Sequence, residues 1–269
     1  MLIQKSKDIS DTAETASHHT AEWQARVDLA AAHRLAVIQG FSEGIFNHFT
    51  VAMPGKSDGF LSIPFGLHWS EVTASSLIEV SYDGTVLSGQ GDIEMTAFCI
   101  HAPVHRLNPK ARAALHTHMP YASALTRLKD SRIKAIGQTE ILCMKDIAYD
   151  EHYPGGANDI KEGERLAGIL GDKSVLFMGN HGVLVVGETV AEAYDRLYYL
   201  ERACQVQLYA MWTHQELRQV DPLVVKDMTE SSARSYIFGN PKPDRKACEV
   251  HFDALKRMLE RRETPDYRN

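Results

Sequence analysis

The sequence predicts an α/β fold in which one sheet is sandwiched between helices, and three observations carry that expectation. Long segments place apolar residues at helical spacing, short apolar pieces are separated by turn residues, and the two kinds of segment interleave along the chain. With 269 residues and 44% hydrophobic content, the chain can bury a core that needs no disulfide to hold it. No internal repeat or low-complexity tract interrupts the pattern.

Residues 1–20 are polar, with little to bury, and are expected to form a mobile N-terminal arm. The main domain is expected over 21–220. It opens with EWQARVDLAAAHRLAVIQG, whose apolar residues fall on one helical face and which stops at Gly40, a good position just past a helix end. FNHFTVAM, GFLSIPF and LIEVSY follow as short strands, joined by PGKSDG, GLHWSE and DG turns of the kind that link antiparallel neighbours. Thr96 is a candidate cap for a helix through AFCIHAPVHRL, in which Pro103 must either lie early or kink the helix, and Asn108-Pro109 ends it.

RAALHTH then reads as a buried strand and MPYASALTRL as a helix. Asp159 with Glu162 forms a capping-box pattern for a helix ending near Gly171. SVLFM and GVLVVG are strands on either side of a tight GNHG step. Thr189 with Glu192 repeats the capping pattern at the head of a long helix through YYLERACQVQLYAMW. Residues 221–269 are more polar and are expected to form a C-terminal helical appendage.

Composition narrows the function. Twenty-nine Lys and Arg stand against 35 Asp and Glu, a net charge of −6 without long runs of one sign, so no basic stripe offers itself to nucleic acid or an anionic membrane. The four cysteines lie far apart in neither a zinc-knuckle nor a disulfide pattern, which makes the cytoplasm the expected location. The N-terminal stretch is too polar for a signal peptide, and the apolar runs are too short to span a bilayer.

The chemistry gathers on histidine. In ALHTH, side chains alternate across a strand, so His116 and His118 point the same way, as two metal ligands would. His181, in MGNHGVLVVG, is the third candidate, since its flanking glycines permit close backbone approach. Three neutral imidazoles with a vacant fourth position make a catalytic zinc site. An HxH pair alone also fits a surface or a hydrogen-bonded core. His101 and His105, spaced i and i+4, share a helix face and are either ligands or an amphipathic pair with one ring buried and one exposed.

Taken together, NHFT at 47–50, IPFGLHWSEVTASSLIEV at 63–80, AFCIHAPVH at 97–105, the ALHTH pair, the NHG step and AEAYDRLYYLERACQVQ at 191–207 resemble the class II aldolase/adducin family. The resemblance covers about residues 25–215 and is strongest in the adducin-head-like branch. It implies a three-layer α/β/α architecture with a central, mainly antiparallel sheet, and a homotetramer with sites between subunits. It also implies a divalent ion on His116, His118 and His181, most often Zn2+, with Fe2+ or Mn2+ as alternatives. The implied activity is that of a lyase on a small-molecule substrate, through a metal-stabilised enolate.

Departures from the family pattern refine this. Ala97 stands where the sugar-phosphate aldolases carry their acid. His48, Phe65, Met95 and Thr96 stand where those enzymes place phosphate donors, so a non-phosphorylated carboxylate or carbonyl compound is expected. Glu94 is a candidate replacement for the acid. Proton transfer falls to water on the ion, to His48 or to Tyr149, which reads equally as a core aromatic with its hydroxyl tied to backbone; Glu201, at an inward-facing family position, is either catalytic or a structural hydrogen-bonding group. The alternatives are an adducin-like scaffold without catalysis and an iron-dependent oxygenase on the same fold.

Overall fold

A computed structural model describes residues 7–56, 58–230, 245–262 and 266–269. Eight strands form one sheet: β1 (His48–Ala52), β2 (Gly59–Ser62), β3 (Ile78–Ser81), β4 (Val86–Ser88), β5 (Ala113–Thr117), β6 (Ile147–Asp150), β7 (Val175–Met178) and β8 (Val183–Gly187). Their order is β4-β3-β2-β1-β5-β8-β7-β6. Every pairing is antiparallel except β6 with β7. The expected mainly antiparallel sheet is therefore present.

Among the described residues the helices are α1 (Lys7–Gln39), α2 (Met95–Leu107), α3 (Pro120–Thr126), α4 (Gln138–Met144), α5 (Ile160–Leu170), α6 (Val190–Trp212), α7 (Pro222–Glu230) and α8 (Ala247–Arg262). Strand alternation divides the core between two faces. Phe49, Val51, Leu115, Phe177, Val183 and Val185 pack with residues of α1, α6 and α8, while Ala114, Leu176, Leu184 and Val186 meet Ile100, Val104, Leu166 and Leu170 of α2 and α5. Each such fully buried side chain contributes about 1.5–3 kcal/mol, and helices on both faces complete three layers.

The ends depart from expectation. The arm is helical from Lys7, as one helix with the segment beyond Ala21, and residues 1–6 lie outside the described residues. The C-terminal stretch is helical in α7 and α8, but α8 is more than an appendage: Phe252, Leu255 and Leu259, with Tyr267 beyond it, sit in the main core. Ser75 N–H donates to the Asn269 carbonyl at 2.8 Å.

Helix α2 also differs in detail. Its cap is Glu94, whose carboxylate accepts the Ala97 amide at 2.8 Å, rather than Thr96. Pro103 lies inside the helix and has no N–H for the Cys99 carbonyl. That oxygen instead abuts Gly163 of α5, where an added Cβ would stand 1.9 Å from it, so only glycine lets the two helices pack this closely. Both helix starts with capping patterns form, Asp159 accepting from the Lys161 amide and Thr189 from the Glu192 amide.

Candidate metal centre

Period-two alternation puts His48 and Thr50 of β1 on the α2 face, together with Ala114 and His116 of β5. The register pairs His48 directly with His116, and their ring centroids are 4.8 Å apart. His118 follows the end of β5, and His181 lies in the β7–β8 turn. The three rings converge: centroid separations are 5.0 Å for His116–His118, 5.0 Å for His116–His181 and 4.8 Å for His118–His181. One ring nitrogen from each lies within 4.8 Å of the others, close enough for an ion to sit between them.

Backbone geometry makes the convergence. Asn180 adopts a left-handed φ of 57° in the turn. A Cβ on Gly182 would fall 2.6 Å from His118 Cδ2 and 2.7 Å from the Thr117 carbonyl, so the β8 entry touches the end of β5 only because Gly182 has no side chain. Asn47, also left-handed, accepts the His118 amide on Oδ1 at 3.0 Å. Arg127 donates to the His181 carbonyl at 2.6 Å.

The donors fit a divalent cation. His116 Nδ1 donates to the Val183 carbonyl at 3.0 Å, which fixes that tautomer and leaves Nε2 as a lone pair. His118 Nδ1 donates to Glu43 at 2.5 Å, and its buried Nε2 has no partner among the described residues. A carboxylate behind a ligating imidazole is the usual support for a metal-bound histidine. Burial and the neighbouring rings hold His116 well below the usual histidine range. His181 is lowered to about 4, chiefly by burial. Neutral imidazoles with bare nitrogens are what a metal takes.

The other expected residues are placed differently. His48 is buried and bonded to His101, Nδ1 to Nε2, at 2.8 Å. Tyr149 accepts the Ile133 amide at 3.2 Å and packs its ring on Phe177. Glu201 accepts the Tyr121 and Ala122 amides, each at 2.8 Å, and so caps the start of α3 just after His118. Of the three catalytic candidates, Tyr149 and Glu201 thus have their oxygens engaged by backbone. Glu94, the candidate replacement acid, is engaged by Ala97 N–H and by the Thr96 hydroxyl at 2.5 Å. His101 and His105 are both buried, so neither ring of the pair is exposed.

Sequence reasoning missed Glu43, which lies 75 positions from its partner in the chain, and Tyr153, whose ring centroid is 5.9 Å from that of His181. A shallow cleft opens beside His181, lined by Asp150, His152, Tyr153 and Arg165 among others.

Residues 27–208 match the family model described as Class II Aldolase and Adducin N-terminal domain. A Caulobacter vibrioides protein, named provisionally as a class 2 aldolase, is 38% identical over 192 residues, 71% of this chain and 74% of that protein. Alpha-adducin of Mus musculus is 34% identical over 246 residues, which cover 87% of this chain and 33% of the adducin. The crystal structure of an aldolase II superfamily protein from Pseudomonas syringae aligns with a TM-score of 0.83 at 35% identity, covering 92% of this chain and 96% of that one.

Proposed function

Because this chain belongs to the class II aldolase and adducin family, we propose that it is a metal-dependent lyase acting on a small oxygenated carboxylate or carbonyl compound without phosphate. The reaction is retro-aldol cleavage, decarboxylation or elimination. One observation carries the reading: His116 and His118 each have one nitrogen fixed by a protein acceptor and the other left over beside His181. His116, His118 and His181 would hold the ion, with zinc first among the choices. When bound, such an ion supplies Lewis-acid stabilisation of negative charge developing on a substrate oxygen, worth several kcal/mol.

The protein's own groups do the rest. Glu43 orients His118, Asn47 holds the backbone that follows β5, and Glu201 fixes the start of α3 beyond it. His48, against His116, is the side chain placed to hold a substrate proton. Substrate choice follows from the head of α2, where the Glu94 carboxylate already takes the anion-binding position and would repel a phosphate. Phe65, half exposed, adds an apolar ring to that region instead of a donor.

Two other readings share this site. The likeness to alpha-adducin favours a scaffold, and three imidazoles with Ala97 in the acid's place favour an iron-dependent oxygenase. The test assays the purified full chain on 3-hydroxy carbonyl compounds and 3-oxo acids and their phosphorylated counterparts, with and without chelator. Chelator-sensitive release of a carbonyl product or carbon dioxide is expected from the non-phosphorylated compounds, with loss in His116→Ala. Preference for phosphorylated sugars contradicts the substrate assignment. Turnover only with iron and dioxygen assigns the oxygenase, and no turnover by metal-loaded protein assigns the scaffold.

A further inference from the structure

Behind His48 a second group of histidines forms an unbroken chain through the core, from β1 into α2. His48 Nδ1 meets His101 Nε2 at 2.8 Å, His101 Nδ1 meets Thr50 Oγ1 at 2.5 Å, and Thr50 Oγ1 meets His105 Nε2 at 2.8 Å. The chain ends where His105 Nδ1 meets the Ala111 carbonyl at 2.6 Å. Its rings and hydroxyl are all buried. None of these hydrogen bonds reaches a carboxylate, and burial holds the three rings below the usual range, His105 at about 4 and His48 at about 3.

One carbonyl sets the direction of every proton. A carbonyl only accepts, so His105 carries its proton on Nδ1 and its Nε2 is bare. Thr50 therefore donates to His105; its other acceptor, the Ala114 carbonyl, is farther away at 3.4 Å. With its single proton committed, Thr50 must accept from His101 Nδ1–H, which leaves His101 Nε2 bare. That nitrogen accepts from His48 Nδ1–H, and His48 Nε2 is left as a lone pair. Thr96, 3.5 Å from that nitrogen, gives its own proton to Glu94 and so does not fill it.

We infer that His101, Thr50 and His105 are positioning residues that lock His48 in the Nδ1–H tautomer, with Nε2 presented as a bare acceptor on the side away from His101. A ligand group seated against that nitrogen is a donor, a hydroxyl or a water, rather than an anionic oxygen. The use of His48 as a proton acceptor rests on the lyase reading above, whereas the tautomer lock does not and is tested without any substrate.

The test is nitrogen-15 NMR of the histidine rings in the full chain as isolated, with His48→Gln identifying the His48 signals. In the unsubstituted protein His48, His101 and His105 should each show a protonated Nδ1 and a bare Nε2. Thr50→Val deprives His101 of its acceptor, so His101 and His48 should reverse or mix, and His48 should gain an Nε2–H signal. Thr50→Ser restores the original pattern. A His48 protonated on Nε2 in the unsubstituted protein overturns the inference, and that spectrum decides even where Thr50→Val fails to fold. A pattern unchanged in folded Thr50→Val overturns it equally.

Discussion

Two groups of histidines meet where His48 lies against His116, and they are built on opposite principles. In the chain behind β1 the hydrogen bonds run from ring to ring and end on a backbone carbonyl; the one nitrogen left over is at its outer end, on His48. In the triad, His116 and His118 each have one nitrogen tied to the protein, and the other has no partner among the described residues. Buried polar atoms are almost always satisfied, so a convergent set of unsatisfied ones marks a place for something external, while a satisfied set marks structure and orientation. His116 shares the burial of the chain's three rings, while His118 and His181 are half-buried; what separates the two groups is where the spare lone pairs point.

Substitutions that break one group and spare the other sharpen this contrast. His116→Ala is expected to remove essentially all bound divalent ion from the purified protein while circular dichroism stays native, because the chain behind β1 keeps its bonds. Glu43→Gln keeps the ligands but weakens the support of His118, and metal titration should show affinity lower by about 10- to 100-fold. Gly163→Ala lies outside both groups: with Cβ 1.9 Å from the Cys99 carbonyl, it should lower the urea midpoint by about 1–3 kcal/mol equivalent and leave the metal in place.

Acid reaches the chain differently. His105 has a folded-state pKa of about 4 against an ordinary value of 6.5, so the unfolded protein binds more protons between those limits. Stability from this ring is fully present above pH 6.5 and is lost as pH falls toward 4. At pH 5 the loss from His105 alone should be about 2 kcal/mol, measured as a shift in urea unfolding relative to pH 7. The smallest change expected is Thr50→Ser, which keeps the hydroxyl, removes one methyl and should cost about 1 kcal/mol or less without moving the metal affinity.

Much of the fold was legible because its signals are local. Apolar spacing located α1, capping patterns located α5 and α6, turn residues separated β1, β2 and β3, and Gly171 closed α5 with a positive φ of 54°. The HxH pair was legible as well, since strand alternation alone sends His116 to one face and the glycines around His181 announce a tight approach. The cap of α2 was read two residues too late because Thr96 and Glu94 are both competent and only the carboxylate reaches the Ala97 amide. The C-terminal helix looked like an appendage because its buried face is narrow: Phe252, Leu255 and Leu259 on an otherwise polar surface.

The partners of the site were harder to see. An i, i+4 pair such as His101 and His105 fixes a helix face without saying what that face meets, and Thr50 in a strand shows no sign of bridging them. Glu43 sits in a turn with nothing local to link it to His118. Tyr149 and Glu201 each carried a structural reading beside the catalytic one, and the amides their oxygens accept are distant in sequence and invisible to local pattern.

The most direct measurement is the divalent metal content of the full chain, purified without chelator and analysed by mass spectrometry beside His116→Ala and Thr50→Ser. About one ion per chain in the unsubstituted protein and in Thr50→Ser, with almost none in His116→Ala, is the predicted outcome. An unsubstituted protein that neither retains nor takes up zinc, iron or manganese would contradict the account.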